Sequence, residues 1–186
     1  ISTDKYSKEY VSPVGDTFGK SKVLMYNPGM STISVRVSFR DVKKQKISSY
    51  NVTIASKQYV FSQVVKTGSG AYLQGTDKFI ALGFTDTENT ASDGQVTNGQ
   101  WYDWGFPLVP RNELTSQVLI GLGFGCTDND CKGEVARSVV WITPVDDCDL
   151  YIDYANNGDP PADQIMAVSK FASVKITDPV DKDMTV

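Results

Sequence analysis

ISVRVSFRDVKKQKISSYNVTI, residues 33–54, is the stretch that decides the fold. Ile33, Val35, Val37 and Phe39 fall on one side of an extended chain, and Ser34, Arg36, Ser38 and Arg40 on the other. A period of two with one apolar side marks a half-buried strand of an antiparallel sheet. Asp41 to Lys46 reads as a polar hairpin tip, and Tyr50, Val52 and Ile54 repeat the alternation on the way back. Lys43, Lys44 and Lys46 cluster at that tip, where lysines keep a sheet edge solvated.

The same signals recur outward in both directions. Upstream, Lys22 to Tyr26 is apolar and stops at the turn Asn27-Pro28-Gly29. Downstream, Tyr59 to Val65 reads as a strand closed by Gly68-Ser69-Gly70, followed by Tyr72 and Leu73, a turn at Gly75-Thr76-Asp77, and a strand from Lys78 to Phe84. Further strands are expected at Val118 to Phe124, Ser138 to Thr143, Leu150 to Tyr154 and Phe171 to Ile176, with Ala155 to Asp163 as a loop. Turns every eight to twelve residues predict an all-β chain, an antiparallel β-sandwich of about nine to ten short strands. One helical turn is allowed, at Arg111 to Leu114 after Pro110. Residues 1–20 are expected to form an N-terminal arm or edge strand, and residues 21–186 a single sandwich domain.

The bulkiest segment is Trp101 to Gly125, WYDWGFPLVPRNELTSQVLIGLGFG. Alternation divides its rings, placing Tyr102, Trp104 and Phe106 on one face and Trp101, Asp103 and Gly105 on the other. The former face is assigned to the core, because rings of this size bury large areas. Trp101 is left as the candidate surface ring for stacking on a glycan or other ligand.

Composition excludes several classes of function. The 186 residues are 40% hydrophobic and 22% charged, as expected of a soluble globular protein, with no apolar run long enough for membrane insertion. A net charge of −4 offers no footprint for nucleic acid. The sequence contains no histidine, so triads that rely on it are impossible. The first residue is Ile1, with no leader-like segment after it, which points to a mature or excised piece.

Acidic residues are the candidates for metal chemistry. Asp86, Glu88 and Asp93 lie in or beside the polar stretch from Asp86 to Gly99, Asp128 and Asp130 lie between two cysteines, and Asp146, Asp147 and Asp149 flank a third. Calcium takes six to eight oxygens from carboxylates and carbonyls on loops, which all three groups offer. Turn chemistry is the competing explanation, since Asp and Asn satisfy tight turns. Cys126 and Cys131 stand five apart, a spacing open to a small disulfide or to reduced thiols, and Cys148 is expected to be buried or paired with another chain. Asn51-Val52-Thr53 is an acceptor triplet for N-linked glycan in a secreted chain. The four glutamates, Glu9, Glu88, Glu113 and Glu134, suggest no raised carboxyl pKa, so a hydrolase built on paired carboxylates is disfavoured.

The phrases VLMYNPGMSTISVRVSFRD, GSGAYLQGTDKFIALGFTDT, WYDWGFPLVPRNELTSQVLIGLGFG and VVWITPVDDCDLYIDYANNGD, in that order, carry a likeness. They resemble a β-sandwich module of large secreted or cell-surface proteins of marine bacteria and microalgae, and more loosely the amino-terminal domain of IgG-Fc-binding-type proteins. Asp103-Trp-Gly-Phe-Pro-Leu-Val-Pro110 is the most specific phrase. The resemblance implies a non-catalytic unit and supplies no catalytic residues.

The expectation is a structural or adhesive module of an extracellular surface or matrix protein, associating with copies of itself or with neighbouring modules into a filament, tube or sheet. Two alternatives stand beside it: a carbohydrate- or ligand-binding module using Trp101, and a carboxylate-based hydrolase.

Overall fold

The computed structural model describes residues 6–12, 20–41, 45–65, 69–86, 104–120, 139–154, 163–177 and 184–185. The described chain is all-β and antiparallel. Its elements are β1 (Ser7–Ser12), β2 (Lys20–Tyr26), β3 (Ile33–Asp41), β4 (Lys46–Ile54), β5 (Tyr59–Phe61), β6 (Ala71–Asp86), β7 (Trp104–Pro107), β8 (Val109–Pro110) and β9 (Leu119–Ile120). There follow β10 (Val139–Ile142), β11 (Cys148–Tyr154), β12 (Gln164–Val168), β13 (Val174–Thr177) and β14 (Met184–Thr185). Among the described residues, a single 3-10 turn, Arg111–Glu113, sits where the sequence allows one. No helix among the described residues is long and apolar enough to cross a membrane.

The β3–β4 hairpin forms in unbroken register from Ile33 opposite Ile54 to Asp41 opposite Lys46. Val35, Val37 and Ile54 are fully buried, as the alternation requires. The unexpected element is β6. Gly75-Thr76-Asp77 is not a hairpin turn but the middle of one 16-residue strand. Ser7 pairs with Phe79 and Glu9 with Gln74, so this segment is a bulge in β6 relative to β1. Bulges bend a strand and increase its twist. A Cβ on Gly75 would meet the Phe79 ring at 2.8 Å, so only glycine lets the bulge close over that ring.

The bend makes β6 the shared strand of two half-sheets. Its first half pairs with β3 and β1, in the order β4-β3-β6-β1-β8, and its second half pairs with β2 and β7, with β5 beyond β2. Between them lies the main core, drawn from both halves: Tyr10, Val35, Val37 and Leu73 from one, Val23, Met25 and Ala81 from the other, with Phe79 beside the bend. The segment expected as an arm or edge strand supplies β1, which lies between β6 and β8 with Tyr10, Val11 and Ser12 buried.

The strands from β10 onward, with β9, build a second body. β10 pairs with β13, β11 with β12, and β14 lies between β11 and β9. Ile152 and Ile176 form its core, with Val140, Ile142 and Met166 packed on them. This body leans on the outer face of β1 and β6, where Val11, Tyr72 and Phe171 form one buried cluster. A main-chain bond fastens it there, the Gly70 N–H donating to Phe171 O at 2.7 Å, while the Phe171 N–H holds its own turn by donating to Pro144 O at 2.9 Å.

Several expected boundaries shift. β5 ends at Phe61, and Val65 joins only through an isolated bridge to Ser21. Residues 140–142 are half-buried rather than fully buried, because β10 has one neighbour. Phe171 precedes β13 in a turn with φ of 58° instead of starting the strand. β12 and β14 were not anticipated. Of Val118 to Phe124, β9 accounts for Leu119–Ile120, and residues 121–125 lie outside the described set.

Candidate functional site

The two faces of the β5-β2-β6-β7 half-sheet are both apolar, although only one of them meets the core. Val23, Met25, Phe79 and Ala81 point inward and are buried. The residues between them point outward. Cross-strand register places Phe61, Leu24, Leu82 and Pro107 in one row over four strands, and Tyr59, Tyr26 and Ile80 in the next. Phe84, opposite Gly105, begins a third. In these rows Tyr59 is 60% exposed, Phe61 45% and Pro107 exposed, while Leu24, Tyr26, Ile80, Leu82 and Phe84 are half-buried.

The rings on this face touch one another edge-on. Tyr59 and Phe61 have centroids 6.1 Å apart at 86°, and Phe61 and Phe84 5.9 Å apart at 78°. Such T-shaped contacts are favourable for aromatic pairs. They leave no coplanar platform for a sugar ring. Beneath, the Phe106 ring lies across Gly83, where a Cβ would stand 2.5 Å from its tip. Phe106 packs on the main core, on the side that the alternation of its segment assigns to it.

At its β7 end the face runs into a groove of about 270 Å³ lined by Tyr6, Ile80, Leu82, Pro107, Val109 and Glu113 among others. Tyr10 closes its floor, donating its hydroxyl to Phe79 O at 2.6 Å and accepting the Ser7 N–H at 2.9 Å. Burial pushes the Tyr10 phenol above its ordinary pKa. Nearby, Arg111 donates to the Tyr72 hydroxyl at 2.7 Å and sits 3.5 Å from Glu9, a network that orients the 3-10 turn against β1. Because Arg111 and Glu9 are satisfied by each other and by Tyr72, the network reads as scaffolding.

Trp101, Glu88, Asp93, Cys126, Asp128, Asp130 and Cys131 lie outside the described residues. Asp86 ends β6 opposite Lys20. Asp146, Asp147 and Asp149 are all exposed, and two of them are engaged by one lysine: Asp146 lies 3.2 Å from Lys170 Nζ, and Asp147 accepts the Lys170 N–H at 2.7 Å. They brace the turn before Phe171. Among the described residues no group of three or more Asp, Glu, Cys or His is placed to hold a metal ion.

Cys148 is a free and exposed thiol, which corrects the expectation of burial. It lies at the start of β11, an outer position next to the Asp146–Asp147 turn, so no core surrounds it. Partial desolvation, then the charges of Asp149, Asp147 and Asp146, raise its pKa. Asn51 of the glycan-acceptor triplet is exposed in β4.

The apolar outer face escaped sequence reasoning because strands apolar on both sides do not alternate. Lys22 to Tyr26 and Lys78 to Phe84 read as continuous apolar runs, which by themselves mean burial on two faces. The usable signal was that β2 and β6 read as strands apolar on both sides, which calls for a second apolar surface beside the core.

The sequence matches no protein-family model and no curated protein. Among solved structures, a crystal structure of Thermotoga maritima 1070 aligns with a TM-score of 0.41 at 11% identity, covering 56% of this chain and 95% of that one.

Proposed function

We propose that this chain is a non-catalytic structural module that associates with copies of itself, as expected of a unit in an extracellular surface or matrix protein. The observation that carries the reading is the outer face of β5, β2, β6 and β7, where Tyr59, Phe61 and Pro107 are exposed beside the half-buried Leu24 and Leu82. Contiguous apolar patches of this kind mark interaction surfaces on soluble domains. Covering the exposed parts of the two outermost rings contributes about 1 kcal/mol each.

The test is sedimentation velocity on the wild type and on Tyr59→Lys and Phe61→Lys. Both positions are exposed, so the fold should persist, with an unchanged near-ultraviolet circular dichroism spectrum. The expected result is self-association of the wild type that weakens at least tenfold in each variant. Association indifferent to both charges would remove this face from the account.

A further inference from the structure

We infer that a second copy of this chain pairs antiparallel with β4 across a two-fold axis at Tyr50, continuing the β3–β4 sheet from one molecule into the next. This rests on the self-association reading and adds a contact at the β4 edge to the one proposed for the apolar face.

An unpaired strand edge templates pairing with another chain unless it is short, broken by proline, bulged or charged. Among the described residues, the other outer strands are shorter: β5 has three residues, β7, β10 and β13 four each, β8 two, with Pro110, and β12, also without charge or proline, five. β4 has nine residues, Lys46 to Ile54, and among the described residues pairs only with β3. Its register with β3 runs without a bulge. Its sequence, KISSYNVTI, has no proline, no glycine and no acid, and its only charge is at one end.

The occupant follows from self-complementarity. A two-fold axis makes the contact isologous, the same strand meeting itself. One antiparallel register pairs all nine residues. It sets Tyr50 opposite Tyr50 of the second copy, Ile47 opposite Thr53, and Lys46 opposite Ile54. The single charge therefore never meets its own image. The faces also match, because residues that pair across the axis share parity along the strand. Tyr50 and Val52, which are only partly buried at the open end of the core, gain Tyr50 and Ser48 of the second copy beside them. Tyr50 is held ready, its hydroxyl accepting the Gln63 N–H at 2.8 Å and its ring packed edge-on against Phe39 at 6.3 Å.

Two charge variants at exposed positions test the register. Ile47→Lys/Thr53→Lys places like charges opposite each other at both ends of the joint, and Ile47→Glu/Thr53→Lys places opposite charges there. Sedimentation velocity is run on both and on the wild type, with circular dichroism to verify that each is folded. The expected result is a wild-type dimer, a dissociation constant raised at least tenfold by the like-charge pair, and recovery to within about threefold by the opposite-charge pair. A dimer that survives both variants unchanged would overturn the β4 joint and leave the self-association reading standing. A wild type that stays monomeric to millimolar concentration would overturn both.

Discussion

The ring of Phe171 lies stacked on the ring of Tyr72, with centroids 5.0 Å apart and planes at 27°. That contact, beside Val11, joins the C-terminal body to the outer face of β1 and β6. The backbone of Phe171 is left-handed, with φ of 58°, which costs a residue with a Cβ roughly 1–2 kcal/mol. The strain is offset by the stack and by the bonds to Gly70 and Pro144. Phe171→Ala keeps the strain and loses the ring, and is expected to destabilise by about 3–5 kcal/mol. Phe171→Gly loses the ring and relieves the strain, so urea melts should place it about 1 kcal/mol above the alanine variant. Equal stabilities would mean that the backbone at this position is not strained.

Asn27 is fully buried, yet all of its polar groups are used. Its amide nitrogen donates to the carbonyls of Ser31, Ile54 and Ala55 at 2.8, 3.0 and 3.1 Å, and its side-chain oxygen accepts the Gly29 N–H at 2.9 Å. It thereby locks the β2–β3 turn to the end of β4. Asn27→Ala strands the buried Ile54 carbonyl, at about 1–3 kcal/mol, loses the bonds to Ser31 and Ala55, and is expected to lower the melting temperature by about 5–10 °C. Asn27→Asp cannot donate and should fare no better. An aspartate variant as stable as wild type would contradict this role.

How far the fold was legible follows from these residues. The β3–β4 hairpin declares itself because its alternation is strict and only one side is buried. The bend in β6 does not, because Gly75-Thr76-Asp77 has the composition of a hairpin turn and only the pairing partners of Gln74 and Phe79 reveal a bulge. β12 was missed because Ile165 is 55% exposed, so apolar residues fall on both of its sides. The candidate surface stayed hidden for the same reason. The acidic groups drew attention by type, while the burden carried by Asp146 and Asp147 depends on Lys170, some 23 residues away along the chain.

Cys148 should be a sluggish nucleophile. Partial burial and three neighbouring aspartates raise its pKa, so the thiolate is scarce at neutral pH. Peptide-resolved alkylation with iodoacetamide at pH 7 is expected to be slower at Cys148 than in the same protein unfolded, rising about tenfold per pH unit. Asp149→Asn should speed it. Alkylation faster in the folded than in the unfolded chain would show that the aspartates do not govern the thiol.

Tyr10, Tyr50 and Tyr72 all have phenols pushed above the ordinary tyrosine value, in each case chiefly by burial. The folded state therefore holds these protons more tightly than the unfolded chain. Stability from this source is complete below about pH 10, the unfolded value, and declines as pH rises through the folded values. Urea midpoints should be flat in this respect from pH 8 to 9.5 and fall above pH 10. Tyr10→Phe should flatten that alkaline decline. An unchanged slope would remove Tyr10 from the set.

The central claim is that the molecule works by joining copies of itself, and sedimentation equilibrium of the wild type from micromolar to millimolar concentration tests it most directly. The account requires a weight-average mass that climbs above the 20.4 kDa monomer as concentration rises, with calcium and with chelator alike. A mass fixed at the monomer value throughout that range would contradict it.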